Sequence, residues 1–186
     1  MLFQTNSKLK EEEKPIYKYS LPAFETCPGA GACVEWCMWR DIYRLRGQRC
    51  IDAHKRNLEI MKKPFFVDMA VFELEQNPRI DLLRWCDSGD VPSQILLDKI
   101  TSIASQTVGG VSGGVFHYCY SKSLHLDWSG FKSLPNTKMI QSYGGKYDNL
   151  IDKRSAHAVV IAKGKRLAGY VDASNSDLKA VRNNRI

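Results

Sequence analysis

The chain has 186 residues, 44% of them hydrophobic and 25% charged, enough to bury one substantial core but too few for a complete eight-stranded α/β barrel. A net charge of +7 gives it a weak general attraction for polyanions, yet no DNA- or RNA-binding signature accompanies the charge, so the basic stretches read first as solvated helix faces. With no basic leader before an apolar run and no stretch approaching 18 apolar residues, the expectation is a cytosolic, soluble protein, in which six cysteines serve better as ligands, reactive thiols or small buried hydrophobes than as a disulfide framework.

Residues 1–14 are polar, include the run Glu11-Glu12-Glu13, and are expected to form a mobile arm before a single domain over 15–186. IYKYSLPAF, residues 16–24, offers an edge strand or a lead into the cysteine loop. Val34, Cys37, Met38, Ile42 and Leu45 have helical spacing, which predicts a helix over 34–46 stopped by Gly47. A second helix is expected over 49–61 with Ala53, Leu58 and Met61 inward. PFFVDMAVFELEQ, residues 64–76, reads as a buried helix with Pro64 in its first turn. A strand over 80–86 then runs into the turn Asp87-Ser88-Gly89-Asp90. Residues 92–106 form an amphipathic helix opened by Pro92, with Ile95, Leu96, Lys99 and Ile103 on one side. After the glycine-rich connection 109–114, VFHYCY, TKMIQSY, AHAVVIA and AGYVDA read as four more strands. Strand, helix, strand in mid-chain predicts an α/β fold with a small, mostly parallel, partial-barrel-like sheet flanked by helices. The cysteine loop lies at one end, and functional loops lie beyond the carboxyl ends of the strands.

CPGAGACVEWC packs Cys27, Cys33 and Cys37 into eleven residues, with five and then three residues between them. Structural zinc sites bring thiolates in closer pairs, whereas an iron–sulfur cluster is larger and suits soft sulfur ligands. Gly29 and Gly31 remove bulk where backbone would wrap such a cluster. Three alternatives therefore stand: a [4Fe-4S] cluster on Cys27, Cys33 and Cys37; a zinc ion; and three unrelated buried thiols.

Cys86 and Cys119 each fall near the end of an expected strand and compete as a fourth ligand, with Cys86 preferred because it abuts the acidic turn; both also suit plain packing. Cys50 reads as packing. Asp87, Ser88 and Asp90 suit helix capping as well as ligand binding. Lys122 and Lys146 are candidates to hold an anionic substrate, and Tyr120 and Tyr143 would line the same rim. His54, His117, His125 and His157 lack zinc-protease spacing and read as structural. No nucleophile elbow, phosphate loop or dinucleotide fingerprint is present.

TCPGAGAC with WCM, then WCDSGDVPSQ, YCYSKSL, SYGGKYDNLID and HAVVI resemble, in that order, the pattern of the phage and plasmid family called gene product 88, over about residues 21–173. The cysteine loop is also distantly similar to that of radical S-adenosylmethionine enzymes, although those have three and two residues between their cysteines. That resemblance implies a cluster with one open iron, S-adenosylmethionine as a further cofactor, and Gly89 and Asp90 as its binding residues, with Lys122 positioning the substrate. The expected function is redox or radical chemistry on a small-molecule substrate or with a redox partner. The competing classes are an electron-transfer or regulatory iron–sulfur module with four protein ligands, and a zinc-stabilised nucleic-acid-binding module using Trp36, Trp39 and Tyr43.

Overall fold

A computed structural model describes every residue of the chain except 7, 8, 10–13, 110–112, 162–164, 166, 173–175 and 185. Five strands, β1 (Tyr17–Tyr19), β2 (Leu82–Trp85), β3 (Phe116–Ser121), β4 (Thr137–Ser142) and β5 (His157–Ala158), form one sheet in consecutive order, and every pairing is parallel. Six α-helices complete the described regular structure: α1 (Met38–Arg46), α2 (Gln48–Lys62), α3 (Phe66–Gln76), α4 (Gln94–Gln106), α5 (Ser129–Ser133) and α6 (Asp177–Arg182), besides short 3-10 turns at Ala32–Val34 and Asp148–Leu150. None of these helices is long and apolar enough to cross a membrane.

Parallel neighbours in consecutive order need a crossover at every step, and crossovers of the usual hand deliver all their helices to one face. That asymmetry is the partial-barrel character expected above. On the helix side, Leu83, Trp85, Cys119 and Met139 meet Leu58 and Met61 of α2, Phe66, Ala70 and Leu74 of α3, Leu96, Leu97, Ile100 and Ile103 of α4, and Phe131 of α5 in one core. The side chains of period-two neighbours point the other way. There, among the described residues, Leu82, Tyr118 and Ile140 meet Leu9, Ile16, Ala156 and Ala158, with Phe116, Tyr120 and the C-terminal Val181 and Ile186 packed against them.

Several boundaries move. The first long helix starts at Met38 rather than at Val34, because the backbone at Cys37 is extended and serves as its N-cap. Phe65 is the N-cap of α3, so Pro64 precedes that helix instead of opening it. The helix is also not buried all round: Phe72 is 63% exposed while Phe66 and Ala70 are fully covered. In α4, Ile95 is 70% exposed and the buried stripe is Leu96, Leu97, Ile100, Ile103 and Ala104. Lys99 leaves that stripe and donates through Nζ to the carbonyls of Met61, Lys62 and Lys63, satisfying the carbonyl end of α2.

β5 covers two residues of AHAVVIA, of which residue 162 lies outside the described set. Its edge is instead bonded by the chain end, with His157 N to Asn184 O, Val159 N to Ile186 O and Ile186 N to His157 O. AGYVDA forms no strand over its described residues 168–172. The 109–114 connection is described only at its ends. Residues 1–14, expected as an arm, contribute Phe3, fully buried against Tyr19 and Trp85. The amides of Leu2 and Phe3 donate to the Glu73 carboxylate.

Candidate functional site

Three loops beyond the carboxyl ends of β2, β3 and β4 form a platform on which the cysteine loop rests. Leu21 N bonds Ser88 O and Asp90 N bonds Thr26 O, tying the loop to the acidic turn after β2. Cys33 N donates to Gly144 O, Lys146 N donates to Gly29 O, and Ala30 forms an antiparallel bridge with Gly145, tying it to the turn after β4. Backbone meets backbone at these points. A Cβ on Gly29 would lie 2.1 Å from the Lys122 carbonyl oxygen, and one on Gly31 would lie 2.8 Å from the Gly145 carbonyl carbon. The glycines of CPGAGAC are thus required by close approach to the β3 and β4 loops, whatever the thiols hold.

Asp90 is the clamp beneath this platform. It is 6% exposed, and its carboxylate accepts from Val91 N, Ser121 Oγ, Lys122 N and Ser123 N. Burial pushes its pKa up, while those four donors pull it down, with burial prevailing. Its oxygens are engaged by its own chain, joining the β2 and β3 loops. Gly89 has φ +74°, and a Cβ there would come within 2.3 Å of Thr26 Oγ1, so glycine is needed on both counts. Lys122 turns its Nζ to Ser142 Oγ at 2.8 Å and lies over the Trp36 ring at 5.9 Å, at the junction of the β3 and β4 ends with the cysteine loop. Lys146 is exposed.

Cys27, Cys33 and Cys37 are all partly buried and free. The Cys27 thiol is pushed up to about 12, first by burial and further by Asp90, Cys37 and Cys33, against a lowering bond from the Phe24 backbone. It therefore feels both other loop cysteines, and without a cation nearby it keeps its proton. Among the described residues, no three His, Cys, Asp or Glu side chains close around the position of a single metal ion. Cys86 and Cys119 are 5% and 1% exposed, in the helix-side core. Burial raises both thiols well above the ordinary value, and Cys86 also feels Asp90, Cys119 and Cys27. Cys86 has a left-handed φ of +54° where β2 runs into the acidic turn. Cys50 sits 4.0 Å from His54 Nε2 in the second helix.

The histidines have structural partners. His117 accepts from Trp85 Nε1 at 3.1 Å and contacts Thr107 Oγ1 at 2.8 Å; burial lowers its pKa to about 3. His54 Nδ1 lies 2.9 Å from Tyr43 Oη, which also accepts from Ala23 N and lies 3.3 Å from Ser88 Oγ. His157 meets Ser155 O and Tyr170 Oη, and His125 packs against the Tyr147 ring. Trp39 donates its indole N–H to Asp87 O and is largely buried, so Trp39 and Tyr43 brace the acidic turn rather than facing solvent as a stacking surface.

Spacing along the chain gives no sign of the charge network beneath Asp87. Lys18 of β1 forms an ion pair with Asp87, and Arg84 Nη1 lies 3.3 Å from Asp87 Oδ1 and 2.6 Å from Asp177 Oδ2. Its one legible sign is an arginine within the apolar strand LLRW. Burial alone would lower the Arg84 pKa, but Asp87 and Asp177 more than offset it, and the group stays charged. Parallel pairing of β1 with β2 sets Lys18 beside Arg84, a juxtaposition that depends on register.

The family model for Gene product 88 matches residues 1–185. The chain belongs to the gene product 88 family. No curated protein and no solved structure matches it. Membership bears out the resemblance to the gene product 88 family; the likeness of the cysteine loop to radical enzymes has no such support.

Proposed function

We propose that this gene product 88 protein is an iron–sulfur protein in which Cys27, Cys33 and Cys37 hold one [4Fe-4S] cluster above the carboxyl ends of β2, β3 and β4, for redox or radical chemistry. What supports the reading is the set of three free, partly buried thiols on a single loop, seated where parallel sheets bind ligands. The donor set suits the group: thiolate sulfur is the usual ligand of such clusters.

When bound, such a cluster supplies one-electron transfer and, at an iron without a protein ligand, a place for a small molecule such as S-adenosylmethionine. The chain's own residues do the rest. Cys27 gives up its proton on ligation, so loading releases protons and weakens as pH falls. Asp90 holds the β3 loop against the acidic turn, which fixes the platform. Lys122 supplies positive charge beside Trp36 for an anionic group of a substrate. Cys86 decides between two versions of the function: as a fourth ligand it would give an electron-transfer module, and as a buried thiol it leaves the open iron of an enzyme. Its burial in the helix-side core favours the second.

Separate Cys27→Ser, Cys33→Ser, Cys37→Ser and Cys86→Ala variants, purified without oxygen and assayed for retained iron, test this directly. Loss of iron from each serine variant, with retention in Cys86→Ala, is expected. Loss in Cys86→Ala as well assigns the electron-transfer version; iron retained in all three serine variants removes the proposal.

A further inference from the structure

The inner face of the sheet, opposite the helix layer, carries a charged group that the cysteine loop does not use. The register pairs Arg84 of β2 with Tyr118 of β3, and both side chains reach Asp177, the first residue of α6. Asp177 Oδ2 accepts from Arg84 Nη1 at 2.6 Å and from Tyr118 Oη at 2.9 Å. Arg84 also lies over the Tyr120 ring at 5.1 Å. The assembly is enclosed, with Tyr118 fully buried and Asp177 6% exposed.

Two features distinguish it from a plain structural ion pair. An arginine binds a carboxylate best side-on, through two parallel N–H groups, and the Arg84 bonds described here run from Nη1. Its Nε is buried and has no acceptor, a costly state for a donor. Asp177, fixed to its helix, leaves the side edge of the guanidinium unused. The cover that brings Asp177 here is also short. α6 has six residues, too few to be helical unaided, so it depends on its neighbours: Lys138 Nζ donates to Val181 O and Asn183 O, Val181 and Ile186 pack against the sheet, and Asn184 and Ile186 bond the edge of β5.

We propose that Arg84 and Tyr118 form a carboxylate-binding subsite on the inner face of the sheet, that Asp177 fills it in this closed form, and that a small carboxylate ligand takes its place when α6 lifts. The ligand's carboxylate would use Arg84 Nε together with an Nη, and Tyr118 Oη would donate to it as it now does to Asp177. With Asp177 removed, Lys18, Arg84 and Lys138 outnumber Asp87 in charge, so the exposed face attracts anions. The subsite does not depend on the cysteine loop holding iron.

Limited trypsin digestion of the full-length protein, followed by intact mass, reads the release of α6 through cleavage after Lys179 and Arg182 and needs no metal. Malonate should speed these cleavages several-fold over sodium chloride of equal ionic strength. Asp177→Asn should show the faster rate without malonate, and Arg84→Lys, which keeps the charge but loses the fork, should not respond to it. Equal rates in malonate and chloride for the native chain overturn the proposal. So does an undiminished malonate response in Arg84→Lys.

Discussion

At the residue scale, the surest consequences belong to Asp90 and His54. Asp90 answers four donors from two loops, and its removal leaves buried N–H and O–H groups without an acceptor. Asp90→Ala is expected to lower stability by at least roughly 1–3 kcal/mol in urea unfolding. Asp90→Asn should cost less, since its amide oxygen still accepts. A wild-type midpoint in Asp90→Ala would contradict the clamp. His54 is held neutral, its pKa lowered to about 4 from 6.5, first by burial and next by Lys18, with Asp87 opposing. The folded state therefore resists a proton that the unfolded chain accepts, so stability is full above about pH 6.5 and falls as pH drops toward 4. Between pH 6.5 and 5, thermal unfolding of His54→Gln should depend less on pH than that of the native chain; equal slopes would remove His54 from the account.

The identity of these residues was visible beforehand while their work was not. The acidic turn announced itself through Asp, Ser and Gly in sequence, but three of the four donors to Asp90 come from residues 121–123, and the parallel pairing of β2 with β3 brings them there. Gly29 and Gly31 stood out for the same reason they matter, the lack of a side chain, though the backbone they must admit belongs to Lys122 and Gly145.

At the scale of elements, the strands and helices were legible wherever a periodic apolar pattern ran long enough. α4 and β3 are examples. Edges were less so: Pro64 and Pro92 each stand just before their helices, and the extended backbone of Cys37 cuts off the predicted N-terminal turn of α1, replacing it with the 3-10 turn Ala32–Val34. AHAVVIA reads as a strand by composition, yet β5 pairs with β4 over two residues and its outer edge bonds the chain terminus, a tertiary arrangement absent from local pattern. The cysteine loop is itself an element held from both sides. Gly29→Ala must push it off the β3 loop to relieve a contact of 2.1 Å. Amide hydrogen exchange of Cys33 and Lys146, which donate across the junctions of this loop with the turn after β4, is expected to speed up in Gly29→Ala and to stay slow in Gly130→Ala, where a Cβ meets only Thr101 Cγ2 at an ordinary 3.7 Å. Unchanged protection in Gly29→Ala would show that the loop is not anchored there.

For the whole molecule, consecutive parallel order explains both layers at once: helices on one face, a thin cover on the other, and loops gathered at the carboxyl ends. The cysteine loop and the Arg84 group use two different parts of that plan, the rim and the inner face. Mid-chain strand, helix, strand made the plan readable, whereas the coverage of the inner face by both chain ends was not, since Leu9, Ile16 and Val181 are far apart in sequence and show no common period. Whether the cysteine loop at the rim holds a cluster is read from the metal and acid-labile sulfide content of full-length protein purified without oxygen from iron-supplemented cells. Iron and sulfide in equal amounts, about four of each per chain, are expected; protein carrying stoichiometric zinc with no labile sulfide, or no metal at all, would contradict a cluster on Cys27, Cys33 and Cys37.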